Sequence, residues 1–480
     1  MKMIIGGQPV ESSSGQWTEV KNPATGEMVD RVPKGTAEDV HRAIEAAEKA
    51  LPVWSALPTS RRGEILHKAV HLVHEHEAEL AKLLTREQGK PLSESVRELR
   101  RYAHTLEHYA GLAKNVRGAH IPHLDDGKYG LILKKPIGLC GAIVPWNFPV
   151  SLLGNKLGPA LLAGNAVIVK PASTTPLTDI RVVELLCQAG VPPGALSIIT
   201  GPGSTVGEEI LRHPRIRKIG FTGATATGRH VMEVAAREIK RVTLELGGSD
   251  PMIVADDADL DAAVSGASVG RFYNCGQACL AIKRLYLFEN IYDAFVSKLV
   301  EKAKRLKAGN GLEKDVRIGP LHTAGQREEI EEQVADAVKR GAKILVGGKR
   351  PEGAAYEKGC FYLPTLLENV PDDARIVQEE CFGPALPLFK VRGWEEAIAR
   401  ANHSIYGLGS SVWSRDMGKA LWAAERLESG YTWVNSAQII YDELPFGGVK
   451  QSGVGKEHGS EALDYYMETK SVVVADSRKS

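Results

Sequence analysis

GLCGAIVPWNFPVSLLGNKLGPALLAGNAVIVKPAS, running from Gly138 to Ser173, reads as strand, helix, strand. GLCGAIV and AVIVK are short apolar runs punctuated by Gly and Pro, the pattern of buried strands. KLGPALLAGN between them has helical texture and closes on Gly164. Working outward, DIRVVELLCQAG and TGRHVMEVAAREI read as helices, and SIITGPG, KIGFTG and RVTLELGG as strands. Strands alternating with helices at this spacing imply a parallel sheet with crossover helices. The alternation resumes after Asp257 and runs to about residue 450, so the expectation is two α/β lobes in series.

Upstream, a hairpin layer of short β-type runs gives way at Thr36 to helical periodicity. TAEDVHRAIEAAEKAL is one helix, RRGEILHKAVHLVHEHEAELAKLLTREQ a second stopped by Gly89 and Pro91, and SVRELRRYAHTLEHYAGLA a third. DDGKYGLILKKP and TKSVVVAD look like β-ribbon strands outside both lobes.

At 480 residues the chain is too long for one simple core. Its 60 basic and 59 acidic residues nearly cancel, which leaves no sequence-wide field for nucleic acid or an anionic membrane. Pro and Gly break the longest apolar run before it reaches spanning length, so no membrane partner is expected. MKMIIGGQPVESSSG is too short and too soon polar for a signal peptide, so a cytoplasmic protein is expected. Six scattered cysteines argue for reduced thiols rather than a disulfide framework. His67, His71, His74 and His76 lack an HExxH pattern or a nearby Cys, and no metal is expected.

Open parallel sheets bind ligands beyond the carboxyl ends of their strands, where several unusual residue types collect here. GPGSTVG (Gly201 to Gly207) misses the GxGxxG spacing by one residue, and FTGATATGR is not a GxxxxGK[ST] loop. Either is a cofactor turn or a plain strand-to-helix connection. PWNFP fixes Asn147, a neutral amide donor suited to an oxyanion, between two prolines. KPAS offers Lys170, and LELGG ends a further strand with Glu245, a carboxylate placed for general-base work or for a strand-end salt bridge. NCGQAC puts Cys275 and Cys279 four residues apart, which by itself leaves zinc clip, redox pair, packing and nucleophile open.

The ordered set PWNFP, KPAS, GPGSTVG, FTGATATG, LELGG, NCGQAC, EECFGP and PFGGVKQSG resembles the aldehyde dehydrogenase superfamily across essentially the whole chain. The resemblance implies a Rossmann-type dinucleotide-binding domain (residues 1–117 and 137–246) and an α/β catalytic domain (247–450). It also implies a β oligomerisation ribbon (118–136 and 466–480) and a connecting segment (451–465). It makes Cys279 the nucleophile, Glu245 the general base, and Asn147 with the Cys279 backbone N–H the oxyanion hole. Lys156 and Glu457 match its polar network. The cofactor pocket would draw on Ile143, Val144, Pro145, Trp146, Lys170, Ser173, Gly203, Gly207, Phe221, Gly223, Ala224, Thr227, Leu246, Glu380 and Phe382. Lys170 and Ser173 would face the adenosine ribose and Glu380 the nicotinamide ribose. Thiolate addition to an aldehyde gives an alkoxide that can expel hydride to nicotinamide, and the resulting thioester is hydrolysed to the acid.

Departures from the family pattern refine these expectations. Ser173 stands where NAD-preferring members carry Glu, so NADP is expected to be preferred and NAD accepted. Ala224 replaces a common Ser, and Ser249 and Asp250 replace Lys and a small or amide residue, which with AIKR after the cysteine resembles the bacterial semialdehyde dehydrogenase branch. Tyr102, Phe148, Leu152, Asn155, Tyr273, Ala278, Leu280, Ile440 and Phe446 map onto the substrate tunnel, and none is charged. The Arg that succinate-semialdehyde enzymes place near position 155 is absent, so an uncharged aliphatic or aromatic aldehyde is expected, with a succinate-semialdehyde-type substrate as the alternative. A CoA-acylating enzyme and a non-catalytic protein rank lower because Glu245, Cys279 and Asn147 are all present. The resemblance also implies homo-oligomers, dimers or tetramers, with the DDGKYGLILKKP and SVVVAD edge strands pairing across subunits. If the cysteine segment winds helically, Cys275 would also lie within disulfide reach of Cys279.

Overall fold

The computed structural model describes residues 1–436 and 439–475. The quoted stretch becomes the Leu139–Ile143 strand, the Pro149–Ala163 helix and the Ala166–Lys170 strand. The two strands pair in parallel, Leu139 opposite Ala166 and Ile143 opposite Lys170. Side chains alternate across the pleat. Cys140, Ala142, Val167 and Val169 enter one core, while Leu139, Ile143, Ala166 and Ile168 enter the core on the other face. Burial on both faces explains why these strands read as unbroken apolar runs.

Around them lies an eight-stranded sheet. Its five parallel strands follow the spatial order Leu196–Ile198, Ala166–Lys170, Leu139–Ile143, Ile216–Thr222, Arg241–Glu245. Chain order reverses between Leu139–Ile143 and Ile216–Thr222, the switch point of a Rossmann-type sheet. The Met3–Ile5 and Gln8–Val10 strands and the Gly453–Val454 strand add antiparallel edges. A second sheet of seven strands, from Asp250–Val254 to Tyr431–Val434 in chain order, is parallel except at its Lys343–Val346 edge.

The helical region differs from expectation in one place. The run expected to be a single helix is two, Thr59–Glu75 and Glu77–Gln88, hinged at His76. His76 leaves helical geometry at ψ 7°, and its ring Nδ1 lies 2.9 Å from the Leu72 carbonyl, so one residue caps both helices. The Leu92–Gly111 helix then packs on Pro149–Ala163 at close range. A Cβ on Gly158 would lie 2.4 Å from a Tyr109 ring carbon, so only glycine admits this approach.

The expected ribbon segments form one sheet within the chain. The Met467–Ala475 strand pairs with Lys128–Pro136 of its own chain, from Met467 opposite Pro136 to Ala475 opposite Lys128. Ala119–Asp125 completes a three-stranded antiparallel sheet. The Tyr466 carbonyl accepts from the Ile137 N–H at 3.4 Å, which returns the tail to the ribbon within the chain. Residues 476–480 of the expected ribbon lie outside the described residues. No helix among the described residues is long and apolar enough to cross a membrane.

Candidate active site

The residues with distinctive chemistry converge where the two sheets meet. Asn147 follows the Leu139–Ile143 strand at the switch point, Glu245 closes Arg241–Glu245, and Cys279 sits just before the Ile282–Phe288 strand. The cysteine segment is not a plain helical turn. Asn274 and Cys275 adopt left-handed backbone angles, φ 51° and φ 56°, a conformation that costs of order 1 kcal/mol per residue. Hydrogen bonds hold it there. Glu94 accepts from the Asn274 N–H at 2.9 Å, and the Gln277 side chain donates to the Asn274 carbonyl at 3.0 Å and accepts from the His322 N–H at 2.8 Å.

This geometry overturns the premise of the Cys275–Cys279 disulfide. The kinked backbone sends Cys275 into the catalytic-lobe core, while Cys279 packs against the separate cluster of Leu408, Trp433 and Phe446. Both thiols are free.

Asn147 is fixed from two sides. Its carbonyl accepts from Lys90 Nζ at 2.7 Å and from Asn274 Nδ2 at 2.9 Å, and its own Nδ2 donates to the Gln277 carbonyl at 3.1 Å. Lys90 is fully buried and paired with Glu98, whose other oxygen accepts from the Val150 and Ser151 N–H groups at the start of the Pro149–Ala163 helix. The proline-bound turn is therefore braced by a buried ion pair that sequence reading missed.

Glu245 is buried, and neither carboxylate oxygen has a hydrogen-bond partner among the described residues. Burial first, and then the negative field of Glu457, push its carboxyl well above the usual range, against the opposing fields of Lys156 and Lys456. Lys156 pairs with Glu457 at 2.7 Å and donates to Thr222 Oγ1 at 2.6 Å. Burial pushes the Cys279 thiol up to about 12, opposed by Lys283 and reinforced by Glu380, Asp250 and Glu245. A thiol in such surroundings must lose its proton before it can act as a nucleophile.

Most of the expected cofactor residues follow or end strands of the first sheet, while Glu380 and Phe382 precede the Ala385–Val391 strand of the second. Lys170 is buried, has no carboxylate partner among the described residues, and donates to the Pro171 carbonyl at 3.0 Å. Burial pulls its ammonium down to about 8. An uncompensated buried cation of this kind suits a hydroxyl or phosphate ligand. Ser173 Oγ donates to the Gly201 carbonyl at 2.9 Å, and Gly207 lies beside the Lys170 stem. Gly203 is exposed with open space at its Cβ position, so an approaching phosphate meets no side chain. Val144 donates its N–H to the Lys170 carbonyl, ahead of Pro145 and Trp146, and Ile143, Phe221 and Leu246 belong to the core on that face. Gly223 precedes Ala224, the cap of the Thr225–Arg237 helix, on which Thr227 is exposed. Glu380 accepts from the Gly248 N–H at 3.0 Å. Trp146 is edge-on to Phe382 and stacks on His322 at 4.7 Å, a contact sequence reading did not anticipate.

On the substrate side, Leu280, Ile440 and Phe446 gather with Cys279 around Trp433, Tyr431 and Leu408, three residues absent from the expected set. Phe148 stacks on Tyr273 at 5.9 Å, Leu152 is half-buried one helical turn beyond Phe148, and Ala278 is buried next to Cys279 in the chain. Two expectations need correction. Tyr102 is buried in the helical core, its ring where a Cβ on Gly154 would lie only 2.7 Å away, so it cannot line a tunnel. Asn155 is buried with its amide donating to Glu457 Oε2 at 3.0 Å, so it belongs to the polar network rather than the lining.

The sequence profile of the Aldehyde dehydrogenase family matches residues 10–472. The chain belongs to the aldehyde dehydrogenase family. It is 43% identical to a glutarate-semialdehyde dehydrogenase of Pseudomonas putida over 98% of this chain and 97% of that protein. It is 41% identical to the NADP(+) succinate-semialdehyde dehydrogenase of Escherichia coli over 97% and 96%. A betaine aldehyde dehydrogenase of Staphylococcus aureus, solved with NAD+, superposes with a TM-score of 0.96 at 37% identity, covering 99% of this chain and 94% of that one. This aldehyde dehydrogenase is thus an NAD(P)-dependent oxidoreductase with the family's α/β fold.

Proposed function

We propose that the enzyme oxidises an aldehyde to its carboxylic acid through a thioester on Cys279. The observation that carries this reading is the meeting of Cys279, Asn147 and the unpartnered, buried Glu245 at the junction of the two sheets. Bound NAD(P) supplies the hydride acceptor. Cys279 gives its thiol proton to solvent as its sulfur adds to the carbonyl carbon. The alkoxide so formed is stabilised by Asn147 Nδ2 and the Cys279 N–H, and loss of its hydride to the bound acceptor would leave the thioester. Glu245, once deprotonated, takes a proton from the water that attacks the thioester, and the acid leaves as Cys279 is restored.

For the cofactor, NADP is proposed as preferred. Lys170 supplies a cation and Ser173 a hydroxyl at the expected ribose position, where NAD-preferring members of the family carry a Glu that would repel a 2′-phosphate. For the substrate, the aromatic and aliphatic lining around Cys279 supports an uncharged aldehyde. An ω-semialdehyde is the second reading, favoured by the two semialdehyde dehydrogenase relatives. Turnover of both aldehyde classes with NADP and with NAD, using Cys279→Ser as control, tests the set. Turnover that survives in Cys279→Ser would refute the nucleophile.

A further inference from the structure

Two of the chain's departures from the family pattern, the SDP of Ser249–Pro251 and the AIKR after Cys279, come together beside the nucleophile. Asp250 and Ile282 are paired across adjacent parallel strands, which places Lys283 in the first turn of strand after the cysteine loop. The Lys283 side chain is fully buried. Its ammonium donates to the Ala278 carbonyl at 2.9 Å and to the Cys279 carbonyl, and lies 3.3 Å from Glu380 Oε1. Two carbonyls thus take N–H donors of the lysine, and Glu380 is its ion-pair partner. Asp250 supplies a second nearby carboxylate. Its Oδ1 accepts from the Gly409 N–H at 3.0 Å, and its Oδ2 is buried with no partner among the described residues. Packing is tight, since a Cβ on Gly248 would lie 2.7 Å from the Cys279 carbonyl and 2.9 Å from Asp250 Oδ1.

A buried ammonium is costly unless fully bonded, so its position between the nucleophile loop and Glu380 calls for a physical role. The Ala278 carbonyl and the Cys279 N–H belong to one peptide unit. A charge-assisted hydrogen bond to that carbonyl polarises the amide and strengthens the N–H as a donor. Glu380, bonded to the same ammonium, also accepts from the Gly248 N–H. We propose that Lys283 is a positioning residue that ties the Cys279 loop to Glu380 and polarises the Ala278–Cys279 peptide toward the oxyanion. This rests on the reading of Cys279 as nucleophile and Glu380 as the cofactor-side carboxylate. The charged groups facing Cys279 are then Lys283 from its own segment, Glu380 from the Gln378–Phe382 turn, Asp250 from the neighbouring strand, and Glu245 from the first sheet.

The test is Lys283→Met in the full-length enzyme, with Lys283→Met/Asp250→Asn as a second variant that removes the negative charge left without its lysine. Steady-state kinetics with NADP and an active aldehyde are read beside the rate of Cys279 alkylation by iodoacetamide between about pH 7 and 10. In at least one folded variant, kcat is expected to fall about tenfold or more with aldehyde KM changed less than about threefold. Alkylation is expected to slow about threefold or more at each pH, because the field that favours the thiolate is gone. Lys283→Arg, which keeps the charge, is expected to recover part of the alkylation rate. Wild-type kcat and alkylation in a folded variant would overturn the proposal, as would a kcat loss matched by lost folded protein with alkylation unmoved. An inactive wild-type enzyme would instead overturn the reading of Cys279, and this inference with it.

Discussion

Lys156 Nζ lies 2.7 Å from Glu457 Oε1, both side chains buried, with Asn155 donating to the other oxygen of the same carboxylate at 3.0 Å. The field of Glu457 is one of the forces on Glu245, second to burial. The two members of the pair act on the proposed base in opposite directions, Glu457 raising and Lys156 lowering its proton affinity.

The acid limb of the pH profile follows. Glu245 works only when deprotonated, and burial with Glu457 holds its pKa well above the carboxylate range. Thioester hydrolysis is expected to weaken as pH falls through that raised value, earlier than an exposed carboxylate would allow. Glu457→Gln removes the opposing charge and is expected to move the limb to lower pH by about half a unit to one unit. A pH–kcat profile measures it, and an unmoved or raised limb would refute the coupling.

Glu245→Gln is expected to separate the two halves of the reaction. Acylation of Cys279 continues, so a rapid burst of reduced nicotinamide near one per active site should precede turnover slowed about 10²–10⁴-fold. Stopped-flow absorbance reads both phases. A burst-free variant with acylation itself lost would assign Glu245 an earlier role.

Cofactor choice is expected to turn on position 173. Ser173→Glu puts a carboxylate beside Lys170, where it repels a 2′-phosphate and accepts from a 2′-hydroxyl. The ratio of kcat/KM for NADP over NAD should fall about 10- to 100-fold, equivalent to roughly 1.4–2.8 kcal/mol. An unchanged ratio would place the discriminating contacts elsewhere.

Asp442 anchors the segment that carries Ile440. Its buried carboxylate accepts from Arg101 at 2.8 Å, Thr105 at 3.1 Å and His458 at 2.6 Å, and is bonded to His104. Burial raises its pKa, but His458, Arg101 and His104 outweigh that and hold it well below the usual carboxylate range. A depressed folded-state pKa gives stability that is complete above the unfolded pKa, about 3.9, and is lost as pH falls toward the folded value. Asp442→Ala is expected to destabilise by about 1–3 kcal/mol in urea at neutral pH, a difference that narrows only in acid. Equal stability at neutral pH would show the network to be neutral.

What could be read in advance had a local cause. The strands of both sheets are apolar runs cut off by Gly and Pro, and burial on both faces leaves that signature in a few consecutive residues. Asn147, Glu245 and Cys279 stood out because each is a polar or reactive type at a turn beside a buried strand. The break at His76 was hidden because both halves keep the same amphipathic period, and only a bond from His76 back to Leu72 marks the hinge.

Lys90, Glu98, Asp442 and Lys283 could not be singled out the same way. A charged residue in a helix or at a strand start looks alike in sequence whether it faces water or a buried partner. Lys90 finds Asn147 57 positions away, and Arg101 finds Asp442 across 341. Tyr102 was misplaced for the same reason, since the face it presents is fixed by Gly154 of another helix. The sequence by itself determined the strand–helix alternation and the parallel sheet it implies, because those depend on local polarity and turn chemistry. The Rossmann-type domain and the roles expected of Asn147, Glu245 and Cys279 followed from the family resemblance. Only the tertiary structure decided which charges are desolvated against which partners, and hence the proton affinities of Glu245 and Cys279, because desolvation and Coulomb fields depend on distances that chain order does not encode.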